Sequence, residues 1–156
     1  ELTRALPACR VSFAGGAARY PPRVVRVGRD YAAGLRRCER RPIVTAHEAF
    51  GRLARRYGLT QEGIAGIAPD AEPDARRIAE LADLVRREHI TTVFTEELVS
   101  PRVADALARE AGGVKTETLS PLEGLTDTHA ARGDDWASVM RRNLQKLRAA
   151  LGCHAG

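Results

Sequence analysis

The residues able to do chemistry are few and recur at similar places. His47 closes the stretch P-I-V-T-A-H, Glu96 closes I-T-T-V-F-T-E, and Glu123 lies in S-P-L-E-G-L-T-D, with Asp127 and His129 just beyond. Imidazole nitrogen and carboxylate oxygen are donors that divalent cations accept, and the same groups carry protons in acid–base catalysis. On spacing alone each has a plain alternative. His47 reads equally as a junction histidine satisfied within the fold, Glu96 as a loop acid, Glu123 as a solvated glutamate and His129 as a surface residue. His89, at a helix end, and His154, in the tail, suggest no site. No G-x-G-x-x-G, P-loop or G-x-S-x-G follows an expected strand, so the common nucleotide-binding and serine-hydrolase patterns are missing.

The elements that must position these residues alternate along the chain. Ile43, Val44 and Thr45 are β-formers in a short apolar run, predicting a strand over 42–46. A helix is expected over 48–57, with Phe50, Leu53, Ala54 and Tyr57 on one face and Gly58 as its stop. G-I-A-G-I-A at 63–68 reads as a second strand and 69–74 as a loop, with Asp74 the N-cap of a helix over 75–88. A third strand is expected over 90–95 and a helix from Ser100-Pro101 through Ala111, closed by Gly112. A fourth strand at 114–119 and a long loop lead to a final helix that Asp134 and Asp135 open and Gly152 ends. Such alternation predicts an α/β fold, a four-stranded parallel sheet flanked by helices. His47, Glu96 and Glu123 each follow a strand, at the carboxyl edge where open α/β sheets bind ligands.

With 156 residues the chain can bury one sizeable core, and with 44% hydrophobic but only 4% aromatic residues that core must be aliphatic. The net charge of +5 is unevenly spread: residues 1–41 carry ten arginines against three acids, and the remainder is slightly acidic. Only Phe13, Tyr20 and Tyr31 interleave with the arginines and no nucleic-acid motif is present, so no nucleic acid is expected as a specific partner. Gly15-Gly16 and Pro21-Pro22 interrupt any helical pattern, so residues 1–28 are expected to be irregular. The opening E-L-T-R-A-L-P-A-C lacks the pattern of a signal peptide. Three domains of the reading follow: a basic segment 1–41, an α/β lobe 42–153 and a tail 154–156.

Four stretches carry a resemblance: I-V-T-A-H-E-A-F-G-R-L-A-R-R-Y-G-L, V-F-T-E-E-L-V-S-P-R-V-A-D-A-L-A-R-E-A-G, S-P-L-E-G-L-T-D and G-D-D-W-A-S-V-M-R-R-N-L. In this order, over roughly 29–153, the chain resembles the second lobe of the metal-binding receptors of ABC importers for zinc and manganese. The resemblance implies that His47 and Glu123 are metal ligands, with Asp127 and His129 as alternatives and Glu96 supporting from behind. It also implies that residues 30–38 end a helix joining two lobes. Glu97 stands where the family usually has proline. Histidine at position 47 tilts the ion toward zinc, with manganese the second choice. The family's first lobe supplies two further histidines, and no histidine precedes His47 here, so this chain offers half a site to be completed by an N-terminal lobe or a second chain. The implied partners are the ion and a membrane ABC permease, and the implied location is extracytoplasmic. For an exported family a Cys38–Cys153 disulfide is expected, with Cys9 unpaired; free thiols are the alternative. The runner-up function is a flavodoxin-like regulatory or interaction domain, and a hydrolase has only an open coordination position in its favour.

Overall fold

Ile43 and Val44 point to opposite faces of their strand, because successive side chains alternate. Each face is needed: Ile43 joins one apolar cluster and Val44 a second, and Phe94 and Val93 repeat the division on the neighbouring strand of the sheet. The computed structural model describes residues 2–65, 74–97, 100–124 and 126–154. Its strands β1 (Pro42–Thr45), β2 (Thr60–Gly63), β3 (Thr92–Thr95) and β4 (Lys115–Thr118) form one parallel sheet in the order β2-β1-β3-β4. The expected four-stranded α/β fold is therefore present.

Helices cover both faces. In chain order they are α1 (Leu2–Ala5), α2 (Arg10–Gly34), α3 (Gly51–Arg56), α4 (Ala75–Arg87), α5 (Arg102–Glu110), α6 (Asp127–Ala131) and α7 (Trp136–Leu151), with a 3-10 turn at Pro7–Cys9. On one face Tyr31 and Leu35 meet Ala54, Leu144, Leu147 and Leu151; on the other Leu81, Val85 and Leu107 meet Val44 and Val93. The start and stop signals hold. Asp74 accepts the backbone N–H of Arg76, Asp135 forms a capping box with Ser138, and Gly152 ends α7 in the left-handed region at φ 63°. No helix among the described residues is long and apolar enough to cross a membrane.

Several expectations need correction. The helix after His47 begins at Gly51 rather than 48, because residues 46–50 turn the chain off the sheet edge. The second strand is Thr60–Gly63, not 63–68, although Ile64 and Ala65 still donate to Thr45 and Ala46 carbonyls. As an edge strand it is chosen by β1's backbone rather than by its own apolarity. Residues 66–68 of the expected strand, and the loop at 69–73, lie outside the described residues. The loop between β4 and α7 contains α6, capped where Thr126 accepts the His129 N–H.

The largest departure is the N-terminal segment, expected to be irregular and found as the helix α2, which runs through Pro21 and Pro22. Tertiary contacts outweigh the lost hydrogen bonds of two prolines. Val27 and Tyr31 are buried against α7, the Tyr31 hydroxyl donates to the Met140 carbonyl at 2.8 Å, Arg23 pairs with Asp135, and the Tyr20 ring lies 6.3 Å from Trp136. Cys38 and Cys153 form a disulfide that joins the end of the α2–β1 connection to the end of α7, and Cys9 is free and exposed.

Candidate metal centre

His47 lies two residues beyond β1, and its backbone is pinned before its side chain does anything. Thr45 Oγ1 donates to the His47 carbonyl at 2.6 Å, and Gln61 Nε2 from β2 donates to the same oxygen at 3.0 Å and to Thr45 Oγ1 at 2.7 Å. From the end of β3, Glu96 Oε1 accepts the His47 backbone N–H at 3.2 Å and stands 2.8 Å from its Nδ1. The ring contact is short but poorly aligned, so Nδ1 has a close anion rather than a straight hydrogen bond. A carboxylate on that side still favours the tautomer protonated at Nδ1, leaving the Nε2 lone pair outward as a donor. Both side chains are almost fully buried. Burial pushes the Glu96 carboxyl above its ordinary range, opposed by the His47 N–H and ring.

Glu123 follows β4. Its Oε1 stands 3.5 Å from His47 Nε2, and its side chain is 51% exposed. The sheet edge thus brings His47, Glu96 and Glu123 together. Asp127 is exposed in the first turn of α6 and has no ion pair among the described residues. His129 is buried, not a surface residue, with Nε2 3.0 Å from Glu97 Oε1. Among the described residues no group of three or more histidine, cysteine or acidic side chains is placed to hold an ion. The sequence reading passed over Thr45 and Gln61, whose role depends on strand pairing, and over the pairing of half-buried Glu97 with buried His129. Its one signal for Glu97 was the departure from proline.

The donor pair suits a tetrahedral ion. Nitrogen and oxygen donors about 2.0–2.2 Å from zinc at tetrahedral angles stand about 3.4 Å apart. Nε2 and Oε1 are 3.5 Å apart.

The fold is that of one lobe of a solute-binding protein, and its parallel sheet presents an imidazole and a carboxylate at the carboxyl edge. The chain belongs to the family described as zinc-uptake complex component A, periplasmic, whose model matches residues 1–150. It is 44% identical over 148 residues to the zinc-binding protein AdcA of Streptococcus pyogenes serotype M6, covering 95% of this chain and 28% of that protein. The solved laminin-binding protein Lbp of Streptococcus pyogenes superposes with a TM-score of 0.82 at 33% identity, over 96% of this chain and 57% of that one. The Zn(II)-bound ZnuA-like domain of Streptococcus pneumoniae AdcA superposes with a TM-score of 0.74 at 39% identity, over 96% and 56%. The chain therefore spans little more than a quarter of the curated relative and just over half of the solved chains. The family is one of transport receptors and not an enzyme class.

Proposed function

We propose that this chain is a half-receptor for zinc, carrying the ion to an ABC permease outside the cytoplasmic membrane without chemical change. The observation that carries the reading is the outward His47 Nε2 held 3.5 Å from Glu123 Oε1, a separation that fits two donors on one tetrahedral ion. The zinc-binding descriptions of the family and of AdcA support the choice of ion. A neutral imidazole favours zinc over manganese, which prefers oxygen donors. Glu96 orients the ring, and Asp127 and His129 are not ligands. Two protein donors hold zinc weakly, since tight sites use four; a second lobe or chain would supply the rest. Solvent reaches Glu123 but hardly His47, so the carboxylate is the donor an arriving ion meets first. Residues 42–153 form the binding lobe, with α2 as the connection to the other half.

Zinc titration by calorimetry on the chain, beside His47→Ala and Glu123→Ala, tests this. Weak binding that falls about tenfold or more in each variant is expected. Equal binding in all three proteins would discard both ligands.

A further inference from the structure

Glu123 is poorly restrained by its own contacts. Among the described residues its carboxylate meets only His47, and half of its side chain faces solvent. The residue before it, Leu122, has φ 63°, a left-handed conformation that leucine adopts only where the surrounding chain imposes it. Something must therefore hold this segment on both sides.

One carboxylate does. Glu97 Oε2 accepts the Ser120 hydroxyl at 2.8 Å, and Glu97 Oε1 stands 3.0 Å from His129 Nε2. Ser120 is buried and further fixed by Asn143 of α7, which accepts its N–H at 3.1 Å and donates to its carbonyl at 2.7 Å. His129 is buried in α6. Glu97 thus ties the residue before the Glu123 turn to the helix after it.

We propose that Glu97 is the positioning residue for Glu123: it clasps both ends of segment 120–129 and sets where that carboxylate stands relative to His47 Nε2. The inference rests on the reading of His47 and Glu123 as zinc donors. The division of labour is local to the end of β3. Glu96 orients the imidazole, and its neighbour Glu97 orients the carboxylate. A donor on a loop that must first be ordered binds more weakly, because ordering is then subtracted from each binding event. Glu97 touches neither donor, so its influence passes wholly through the loop.

The test compares Glu97→Ala, Glu97→Gln and Ser120→Ala, with His47→Ala as control for the site. Two readouts are taken: the amide order parameter at Glu123 in the metal-free chain, and zinc affinity by competition with a chromophoric chelator. In Glu97→Ala the order parameter is expected to fall from about 0.85 to below about 0.6, and zinc affinity by about tenfold. Ser120→Ala, which frees one end only, falls between. Glu97→Gln has the same shape and can bond both Ser120 and His129, so it should stay close to wild type, which simple loss of folding in Glu97→Ala would not explain. An unchanged order parameter in folded Glu97→Ala overturns the clasp. If His47→Ala loses zinc while Glu97→Ala keeps wild-type affinity, the donors stand and the positioning role is refuted. If His47→Ala binds as wild type, the donor reading fails, and with it the proposed role of Glu97, while the order parameter still reports whether the clasp exists.

Discussion

Removing the Cys38–Cys153 bridge should cost stability without touching the site. The bridged cysteines are 115 residues apart, so the bond closes nearly the whole lobe into one loop. Cross-linking a loop of that length removes denatured-chain entropy equivalent to about 5 kcal/mol at 25 °C, with about 2–4 kcal/mol more usual in practice. Backbone bonds beside the bridge persist without it, since Glu39 and Arg40 donate to the Gly152 and Leu151 carbonyls and His154 donates to Arg37. They order only the folded state, so they leave the entropic advantage to the disulfide. For a chain of this size each 1 kcal/mol corresponds to about 2–4 °C in Tm. The Cys38→Ser/Cys153→Ser double variant should therefore melt roughly 4–20 °C lower than the oxidised protein. Urea titration followed by circular dichroism measures the free energy, and reduced wild type should match the variant. The bridge lies before β1 and after α7, at the opposite end of the sheet from His47, so zinc affinity of the folded variant should be unchanged. A loss below about 1 kcal/mol would refute the loop-closure reasoning. A loss of zinc binding in folded protein would refute the separation of bridge and site.

Two further outcomes concern buried polar groups. Asn143→Ala strips both partners from the buried Ser120 backbone, and leaving that N–H and carbonyl unpaired should cost about 2–4 kcal/mol in urea unfolding; a cost under about 0.5 kcal/mol would show that the pair does not matter. Glu96 has a folded-state value raised above its ordinary 4.5, chiefly by burial. Its contribution to stability is then fully present below pH 4.5 and lost as pH rises through the raised value. Metal-free Glu96→Gln should show a flatter stability profile over that window, and an unchanged slope would count against burial as the cause.

Much of the architecture was legible because its signals are local. The Ile43-Val44 run, the caps at Asp74 and Asp135, and Gly152 after α7 each report the conformation of a few neighbouring residues, and all four lie where the pattern puts them. Strand ends are local as well, so the edge occupied by His47, Glu96 and Glu123 followed from counting strands. The N-terminal helix was not legible. Pro21 and Pro22 argue against it locally, while Tyr31 on Met140, Arg23 on Asp135 and Tyr20 near Trp136 argue for it across more than a hundred residues. The edge strand Thr60–Gly63 escaped notice because its polar T-Q-E-G has no apolar rhythm and takes its identity from β1.

The sequence by itself determined the α/β alternation, the helix boundaries set by caps and glycines, and the edge on which an imidazole and carboxylates gather. Only the tertiary structure decided which of those groups meet. It turned His47 Nδ1 to Glu96 and Nε2 toward Glu123, left Asp127 in solvent, and drew His129 inward to Glu97. The reason is physical: backbone conformation is selected by neighbours in the chain, whereas a polar side chain's partner is selected by burial, which forces it to find whatever donor or acceptor another strand or helix brings within reach.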